Sequence, residues 1–518
     1  MSSVSLTATP DGAVVAHRGM ITVSIMLATI IQAIDGTIAN VALPHMQGNL
    51  SASQDQITWV LTSYIVAAGI ATPLTGWLTD QFGLKRILLV SIAGFTVASV
   101  LCGVSESLFQ IVVARLAQGV FGAALVPLSQ AVLLDVYPPR QHGSAMAVWG
   151  VGVMIGPIVG PALGGWLTEN WSWRWVFFIN LPIGALAFYG VGRYILGRDA
   201  LKNVRFDFFG FATLSIAIGA LQLFLDRGAQ NDWFSSYETC AEAIIFAISF
   251  VFFVVHTALS PEGQSFFDRR LLHNPNYVFG IVLMFLVGMI LFSSRALIAT
   301  MLQNLFDYPA STAGLVMAPS GIGTMVAMHI VGRLTGRIDV RVFLVVGFVL
   351  IAFSTWQMTQ YDLTVTQSEI VWPSVIQGVG LGAVFVPLAT AAFATLSPVL
   401  RADGTAMFSL LRNIGSAVGI AVGQAQLVRN TQVAHAGIVE NLGQGDLLTG
   451  PIASVFHLPG ATGAASLNAE VTRQATMLAY LDDFRLMLVM TVVVIPLLLL
   501  IRPSKKNGAV AASSVALE

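Results

Sequence analysis

The chain of 518 residues has little charge and almost no cysteine. Charged residues make up 10% of the sequence and hydrophobic residues 56%, whereas a soluble domain has about 25% charged residues. The 25 basic and 26 acidic side chains leave a net charge of -1, which argues against nucleic acid as a partner. Two cysteines, Cys102 and Cys240, cannot build a disulfide framework. These deficits predict a polytopic membrane protein whose main surroundings are the lipid bilayer.

Sequence signals of an enzyme or of an ATP-driven motor are also missing. The chain has no GxxxxGK[ST] phosphate-binding loop, and its eight histidines lack the spacing of metal ligands. We therefore expect no enzymatic activity, no bound metal and no cofactor.

Apolar runs of the length that a helix needs to cross the hydrocarbon core follow one another along the chain. The sequence contains fourteen of them, near 20–43, 56–78, 86–104, 108–134, 143–166, 174–196, 208–225, 243–260, 276–300, 311–334, 341–360, 369–394, 404–428 and 484–501. The first run is too long for a signal-peptide core and contains Asp35, so we interpret it as a span. The sequence thus predicts an all-α polytopic membrane protein with 14 spans.

The short loops between these runs carry a clear charge bias. Most basic loop residues fall on one side, namely Lys85, Arg86, Arg140, Arg198, Lys202, Arg205, Arg269, Arg270, Arg337, Arg341, Arg401, Arg502, Lys505 and Lys506. The opposite loops and their margins contain only Arg174, Arg227, Arg429, Arg473 and Arg485. By the positive-inside rule both termini are predicted to be cytoplasmic, and an even number of spans agrees with this.

Two segments of the first half recur in weakened form about 255 to 260 residues later. GWLTDQFGLKR at 76–86 recurs as GRLTGRIDVR at 332–341, and AQGVFGAALVPLSQAV at 117–132 recurs as IQGVGLGAVFVPLATAA at 376–392. The repeat predicts two pseudo-symmetric six-helix bundles plus two inserted transmembrane helices. Two similar halves around a central site are typical of transporters.

These observations predict the following division of the chain. It comprises a cytoplasmic tail at 1–19, an N-terminal six-helix bundle at 20–200, two inserted helices with linkers at 201–275, a C-terminal six-helix bundle at 276–502 with a periplasmic loop at 430–482, and a cytoplasmic tail at 503–518.

A carboxyl group within the first span is the leading candidate for chemistry. Asp35 lies in IQAIDGTIANVALP, where an acidic side chain costs roughly 2.5–3.5 kcal/mol on insertion scales and should face a cavity or a partner. Arg115 lies at a similar depth in the fourth span, and Ser374 takes its place in the second repeat. Movement of an arginine that stays charged would drive proton uptake and release at Asp35. The alternative is a structural ion pair that never titrates.

The stretch from Met146 to Leu167 carries six glycines and two prolines. Glycine costs about 1 kcal/mol and proline about 3 kcal/mol in a helix interior. In lipid, small residues allow close helix packing. The stretch is therefore either a tight packing face or a bending helix at the seam of a transporter that opens to both sides. Its candidate residues are Gly152, Gly156, Pro157, Gly160 and Gly164.

The turn GWLTDQFGLKR, with Gly76, Asp80, Gly83 and Arg86, is either a topology signal or a latch that closes the cytoplasmic side.

Five polar residues within spans are candidates for the wall of a cavity: Gln118, Arg295, Gln377, Arg412 and Asn413. The arginines among them are equally compatible with bracing a helix interface. No acidic residue lies deep inside spans 9 to 13, and Arg485, next to Asp482 and Asp483, is expected to anchor the last span at the outer interface.

Together these motifs resemble the major facilitator superfamily, and specifically its fourteen-span drug:proton antiporters. The turn at 76–86 looks like the family's loop between spans 2 and 3, and Arg115-Leu-Ala-Gln118-Gly119 is similar to the fourth-span motif assigned to proton transfer. The glycines at 152–165 are similar to the fifth-span antiporter motif. The segment 35–44 resembles the first-span signature.

Within this family, the segments 173–182 and 477–485 look like the EmrB type. The resemblance implies a proton-coupled antiporter in the cell inner membrane that exports hydrophobic or amphipathic compounds. It also implies a membrane-fusion adaptor and an outer-membrane channel as partners. A proton-coupled importer of the same fold is the main alternative, and a non-transporting membrane scaffold is a second one.

Overall fold

The computed structural model describes residues 17–195, 206–261, 265–335, 337–394, 396–441 and 461–498. Within these ranges the chain is almost entirely helical. The helices are α1 (Arg18–Asn49), α2 (Gln54–Ile57), α3 (Trp59–Ala71), α4 (Leu74–Phe82), α5 (Leu84–Val104), α6 (Leu108–Gly122), α7 (Leu125–Val136), α8 (His142–Asn170), α9 (Trp175–Phe178), α10 (Asn180–Tyr194), α11 (Phe208–Arg227), α12 (Tyr237–Leu259), α13 (Pro275–Asn304), α14 (Ala310–Leu334), α15 (Val340–Met358), α16 (Gln367–Phe393), α17 (Arg401–Asn441) and α18 (Ala461–Leu497).

The described helices account for the predicted spans. Twelve segments are long and apolar enough to cross a membrane, and some of these segments, such as Leu108–Val136, join two consecutive helices. The pair α3 and α4, bent by 55°, gives a thirteenth candidate span. The helix α18 covers the start of the predicted fourteenth span and packs against α13, α15 and α17. The end of that span, 499–501, lies outside the described residues. The predicted all-α, fourteen-span fold is confirmed.

The helices form two bundles with an inserted pair beside them. In the first bundle α1 packs against α8 and α10, and in the second bundle α13 packs against α16 and α17. The inserted helices α11 and α12 pack against each other, and α11 also contacts α3 and α17. The inserted pair therefore lies against both bundles.

Glycines allow α8 and α1 to approach each other closely. A Cβ atom on Gly156 would overlap the backbone of Ala33, and one on Gly160 would overlap the hydroxyl of Thr37. That hydroxyl lies 3.0 Å from the carbonyl oxygen of Gly156 and donates a hydrogen bond to it. The stretch predicted as a packing face or a bending helix therefore forms a packing face here, and Pro157 lies inside α8 without ending it.

The second bundle repeats this arrangement. Gly415 and Gly419 on α17 lie against the backbones of Phe285 and Met289 on α13, and Gly423 lies against Ser293. The glycines are spaced four residues apart, as they are in α8, so they form one stripe along the helix. In each bundle, therefore, a glycine stripe on one helix allows it to pack closely against the first helix: α8 against α1, and α17 against α13.

The segment 430–482 differs from the loop that the sequence predicts. The helix α17 continues to Asn441, and α18 already begins at Ala461. The imidazole of His435 lies 3.0 Å from the side-chain oxygen of Asn468 and joins the two extensions. The polar composition of this segment predicts a loop, but it is equally compatible with helices, because a helix in water does not need an apolar surface all round. Residues 442–460 lie outside the described residues.

We expect the substitution Gly156→Ala to lower the stability of the protein by about 1–3 kcal/mol, the usual effect of overpacking. The added methyl group would meet the backbone of Ala33, which cannot rotate away. Gly48→Ala is the matched control on α1, because a Cβ atom there meets nothing within 4 Å. Thermal unfolding in detergent measures both variants, and equal midpoints would contradict the prediction.

Candidate functional site

A buried ion pair lies at the centre of the first bundle. The carboxylate of Asp35 on α1 is 0% exposed and the side chain of Arg115 on α6 is 1% exposed. Arg115 Nη1 lies 2.7 Å from Asp35 Oδ2 and donates a hydrogen bond to it. The two side chains that the sequence places at a similar depth therefore meet.

Two amides complete the surroundings of this carboxylate. Gln118 Nε2 donates to Asp35 Oδ1 at 2.8 Å, and Asn180 Nδ2 of α10 donates to the same oxygen at 3.1 Å. Asn180 Nδ2 also lies 2.9 Å from the hydroxyl oxygen of Ser99 on α5. One guanidinium and two amide donors therefore surround the carboxylate of Asp35.

Further contacts fix the position of the guanidinium. Arg115 Nε donates to the carbonyl oxygen of Val60 at 3.0 Å, and Nη1 donates to Gln118 Oε1 at 2.9 Å. The Arg115 Cζ atom lies 4.2 Å from the centre of the Tyr64 ring, within the range of a cation–π interaction. Arg115 therefore connects α6 to α1 and α3, and a change in its contact with Asp35 would be felt by all three helices.

The second bundle contains an uncharged version of the same contact. Gln377 on α16 donates from Nε2 to the hydroxyl of Ser294 on α13, at 2.9 Å. In the sequence repeat Gln377 matches Gln118, and Ser294 is the partner of Gln377 on the first helix of its bundle, as Asp35 is of Gln118. Ser374, which matches Arg115, donates to the carbonyl oxygen of Ile370 in its own helix at 2.8 Å. Among the described residues, the second bundle therefore has a neutral contact where the first has the ion pair.

The predicted latch lies at an end where the two bundles touch. Gly83 has φ 85°, which favours glycine at this turn between α4 and α5. Gly76 packs against Asp403 of α17, since a Cβ atom there would overlap that carboxylate. Asp80 is close enough to Asp403 for electrostatic repulsion, and the side chain of Arg86 is exposed.

Two further contacts join the bundles at this end. Arg401 of α17 forms an ion pair with Asp135 of α7 and donates to the carbonyl oxygen of Leu134. The rings of Trp149 and Phe385 stack with their centres 5.7 Å apart. The two bundles are therefore in contact at the end that the charge bias predicts to be cytoplasmic.

The five polar cavity candidates have different surroundings. Gln118 and Gln377 are 0% and 2% exposed and bridge helices within their bundles. Arg295 is partly exposed, while its Nε and Nη2 atoms are buried and have no hydrogen-bond partner among the described residues. Arg412 donates to the amide oxygen of the adjacent Asn413 at 3.2 and 3.3 Å. Across the described ranges, neither arginine has a carboxylate within 4 Å.

Sequence reasoning missed the contributions of Asn180 and Asp483. Asn180 is a lone amide in an apolar run, which is itself a signal of a polar function. Arg485, the predicted interface anchor, forms an exposed ion pair with Asp482 at 2.7 Å. Asp483, the next residue, is 0% exposed.

Comparisons with known proteins agree with this architecture. The family model described as Major Facilitator Superfamily matches residues 25–420. The chain is 35% identical to the multidrug export protein EmrB of Haemophilus influenzae over 82% of this chain and 83% of that protein. It is 32% identical to the fatty acid resistance protein FarB of Neisseria gonorrhoeae over 94% of this chain and 97% of that protein.

A solved structure shares the fold. The human organic anion transporter MFSD10 superposes with a TM-score of 0.58 at 15% identity, covering 92% of this chain and 99% of that one. The family model and the similarity to EmrB extend over most of the sequence. The chain therefore belongs to the major facilitator superfamily, within its EmrB-type group.

Proposed function

We propose that this protein exports hydrophobic or amphipathic compounds across the cell inner membrane in exchange for protons, by alternating access. The observation that carries the proposal is the buried pair of Asp35 and Arg115. An intramembrane ionisable residue is by default a functional site. The contacts of this pair join α1, α3, α6 and α10. The names of the relatives, a multidrug export protein and a fatty acid resistance protein, support small amphipathic molecules as cargo.

In the proposed cycle, proton binding to Asp35 removes the negative charge that holds Arg115. The guanidinium keeps its hydrogen bond to the carbonyl oxygen of Val60 and its contact with Tyr64. The link between α1 and α6 is thereby weakened, whereas the link between α6 and α3 remains. Ionised and protonated Asp35 thus stabilise different arrangements of the first bundle, which is what coupling requires.

The energy for export would come from protons moving inward. Each elementary charge that crosses a potential of 100 mV contributes about 2.3 kcal/mol. Exchange of one proton for one cargo molecule would therefore support a concentration ratio of roughly 50-fold per 100 mV, before any pH difference is added.

The two bundles would open at the end where α17 contacts α4 and α7. The ion pair between Arg401 and Asp135 crosses from one bundle to the other there, as does the contact of Gly76 with Asp403. We propose that these contacts form the cytoplasmic gate and that Asp80, Gly83 and Arg86 belong to it. The partly exposed Arg295 and Arg412 would then line the central cavity.

We further propose that the termini are cytoplasmic and that the extensions of α17 and α18 lie in the periplasm. These extensions are joined through His435 and Asn468. They provide a helical surface outside the bilayer on which a membrane-fusion adaptor would bind, with an outer-membrane channel as the next partner.

We expect Asp35→Asn to abolish proton-driven transport in a protein that still folds, with reduced stability because Arg115 loses its anion. Asparagine has the shape of the protonated acid and cannot release a proton. Inside-out vesicles with an acidified interior measure uptake of a panel of amphipathic drugs. Asp362→Asn is the matched control, since Asp362 is exposed between α15 and α16. Full transport by the Asp35 variant would reject Asp35 as the proton carrier, whereas transport lost equally in both variants would point to a general defect.

The ion pair also makes a prediction about stability. Arg115→Gln leaves the buried carboxylate of Asp35 without its cation, and breaking a buried pair in this way costs about 3–5 kcal/mol. We expect the added Asp35→Asn substitution to restore most of the stability of Arg115→Gln but none of its transport. Thermal unfolding of the two single variants and the double variant gives the coupling energy. Additive losses would show that the two groups do not form an energetic pair.

A further inference from the structure

A second carboxyl group is buried in the other bundle. Asp483 on α18 is 0% exposed, and neither of its carboxylate oxygens has a hydrogen-bond partner among the described residues. Its chain neighbour Asp482 is exposed and paired with Arg485. Two adjacent acidic residues therefore have opposite surroundings, and only one of them points into the protein.

The pattern of burial matches α18 to α10 of the first bundle. The buried residues Phe177, Asn180, Gly184 and Val191 have the same spacing as the buried residues Tyr480, Asp483, Met487 and Val494. The buried Ile195 and Leu498 extend the match by one more turn. Asp483 therefore takes the position of Asn180, the residue that donates to Asp35 in the first bundle.

Among the described residues, the elements packed against α18 place polar and apolar groups near Asp483 and form no ion pair with it. From α13, Thr300 lies within hydrogen-bond distance of Tyr480, three residues before Asp483. Beyond the end of α15, the ring of Tyr361 packs edge-on against Phe484. From α17, the apolar Leu427 packs in the same cluster.

The charged groups around Asp483 therefore disfavour its ionised form. The neighbouring carboxylate of Asp482 repels a negative charge. Across the described ranges, Arg295 of α13 forms no ion pair with Asp483, because no basic nitrogen lies within 4 Å of it. A buried ionised carboxylate without a partner is strongly unfavourable, whereas the protonated acid is tolerated. Asp35 thus has three side-chain donors around its carboxyl group, whereas Asp483 has none among the described residues.

We propose that Asp483 is a second proton carrier, so that each transport cycle moves two protons, one through each bundle. The proposal rests on the proton-coupled export proposed above. A proton from the outer aqueous phase binds a carboxylate oxygen of Asp483 and forms the O–H bond. That bond breaks, and the proton leaves to the cytoplasm, when α18 shifts against α13 and water reaches the side chain.

The first test asks whether Asp483 holds a proton in the purified protein. We expect infrared difference spectra to contain a carbonyl band of a protonated buried carboxyl group, which disappears at alkaline pH. Because Asp403, which Asp80 repels, can contribute to the same region, the change between variants is what counts: one carbonyl component should be lost in Asp483→Asn and kept in Asp482→Asn, the matched control one residue away. A spectrum that is unchanged in Asp483→Asn would overturn the proposal, and this measurement does not require a transported compound.

The second test counts protons in proteoliposomes with the membrane potential clamped at zero. Ethidium, which has a fixed charge, is the probe, and its steady accumulation is measured against the imposed pH difference. We expect about 100-fold accumulation per pH unit for the unaltered protein and for Asp482→Asn, and about tenfold for Asp483→Asn. Asp483→Glu, which retains a carboxyl group, should restore the steeper dependence.

The outcomes separate the two proposals. A tenfold dependence in the unaltered protein would reject the second carrier alone. An unchanged dependence in Asp483→Asn would show that the proton on Asp483 is structural and never leaves, which also overturns the proposal. If Asp483→Asn accumulates no ethidium, ethidium counterflow without a pH difference should persist, and its loss would contradict a role confined to protons. No accumulation by the unaltered protein would reject proton-driven export itself, while the infrared result would still stand.

Discussion

The charge pair between Asp35 and Arg115 is the interaction on which the first bundle depends. Two ions in a membrane interior are tolerated only where each finds a complete set of partners, because water cannot solvate them. Here the partners come from different helices, with Asn180 from α10 and the carbonyl oxygen of Val60 from α3. The pair therefore fixes the relative positions of these helices as well as the charges. A proton that neutralises Asp35 changes a structural contact and a charge at the same time.

The two bundles share a backbone plan and differ in chemistry. Each has a glycine stripe against its first helix, and each has a glutamine that reaches that helix from the fourth span of the bundle. In the first bundle the glutamine meets a carboxylate, and in the second Gln377 meets the hydroxyl of Ser294. At the position of Asn180 and Asp483 the difference is the opposite one: the first bundle has the neutral amide, and the second bundle has the acid. Duplication thus preserved the packing positions and allowed the polar groups to diverge.

Much of this architecture could be predicted, because hydropathy, loop charge and internal repetition act along the chain. The spans, the depth of Arg115 relative to Asp35 and the neutral Ser374 all followed from such one-dimensional signals. The side of a helix on which a residue lies is not of this kind. The adjacent Asp482 and Asp483 differ by one step of about 100° around α18, and only the neighbouring helices decide which of them is buried. The helices at the two ends of 430–482 could not be predicted for a similar reason, because each of them packs against the other, through His435 and Asn468.

Two kinds of contact join the bundles, and they differ in how easily they would break. The helices α8 and α14 pack along their length through small residues, with Gly143 against Thr335 at one end and Gly314 against Pro161 towards the other. Between these points a glycine of one helix receives a side chain of the other, with Met328 on Gly150 and Ile158 on Gly321, so the two helices lie close together. The ion pair of Arg401 and Asp135 is of the opposite kind, because it has one favourable geometry and exchanges readily with water. In the proposed cycle, the close contact of α8 with α14 would be the pivot and the Arg401–Asp135 ion pair the latch, and the charge state of the buried carboxyl groups would determine which orientation the pivot favours.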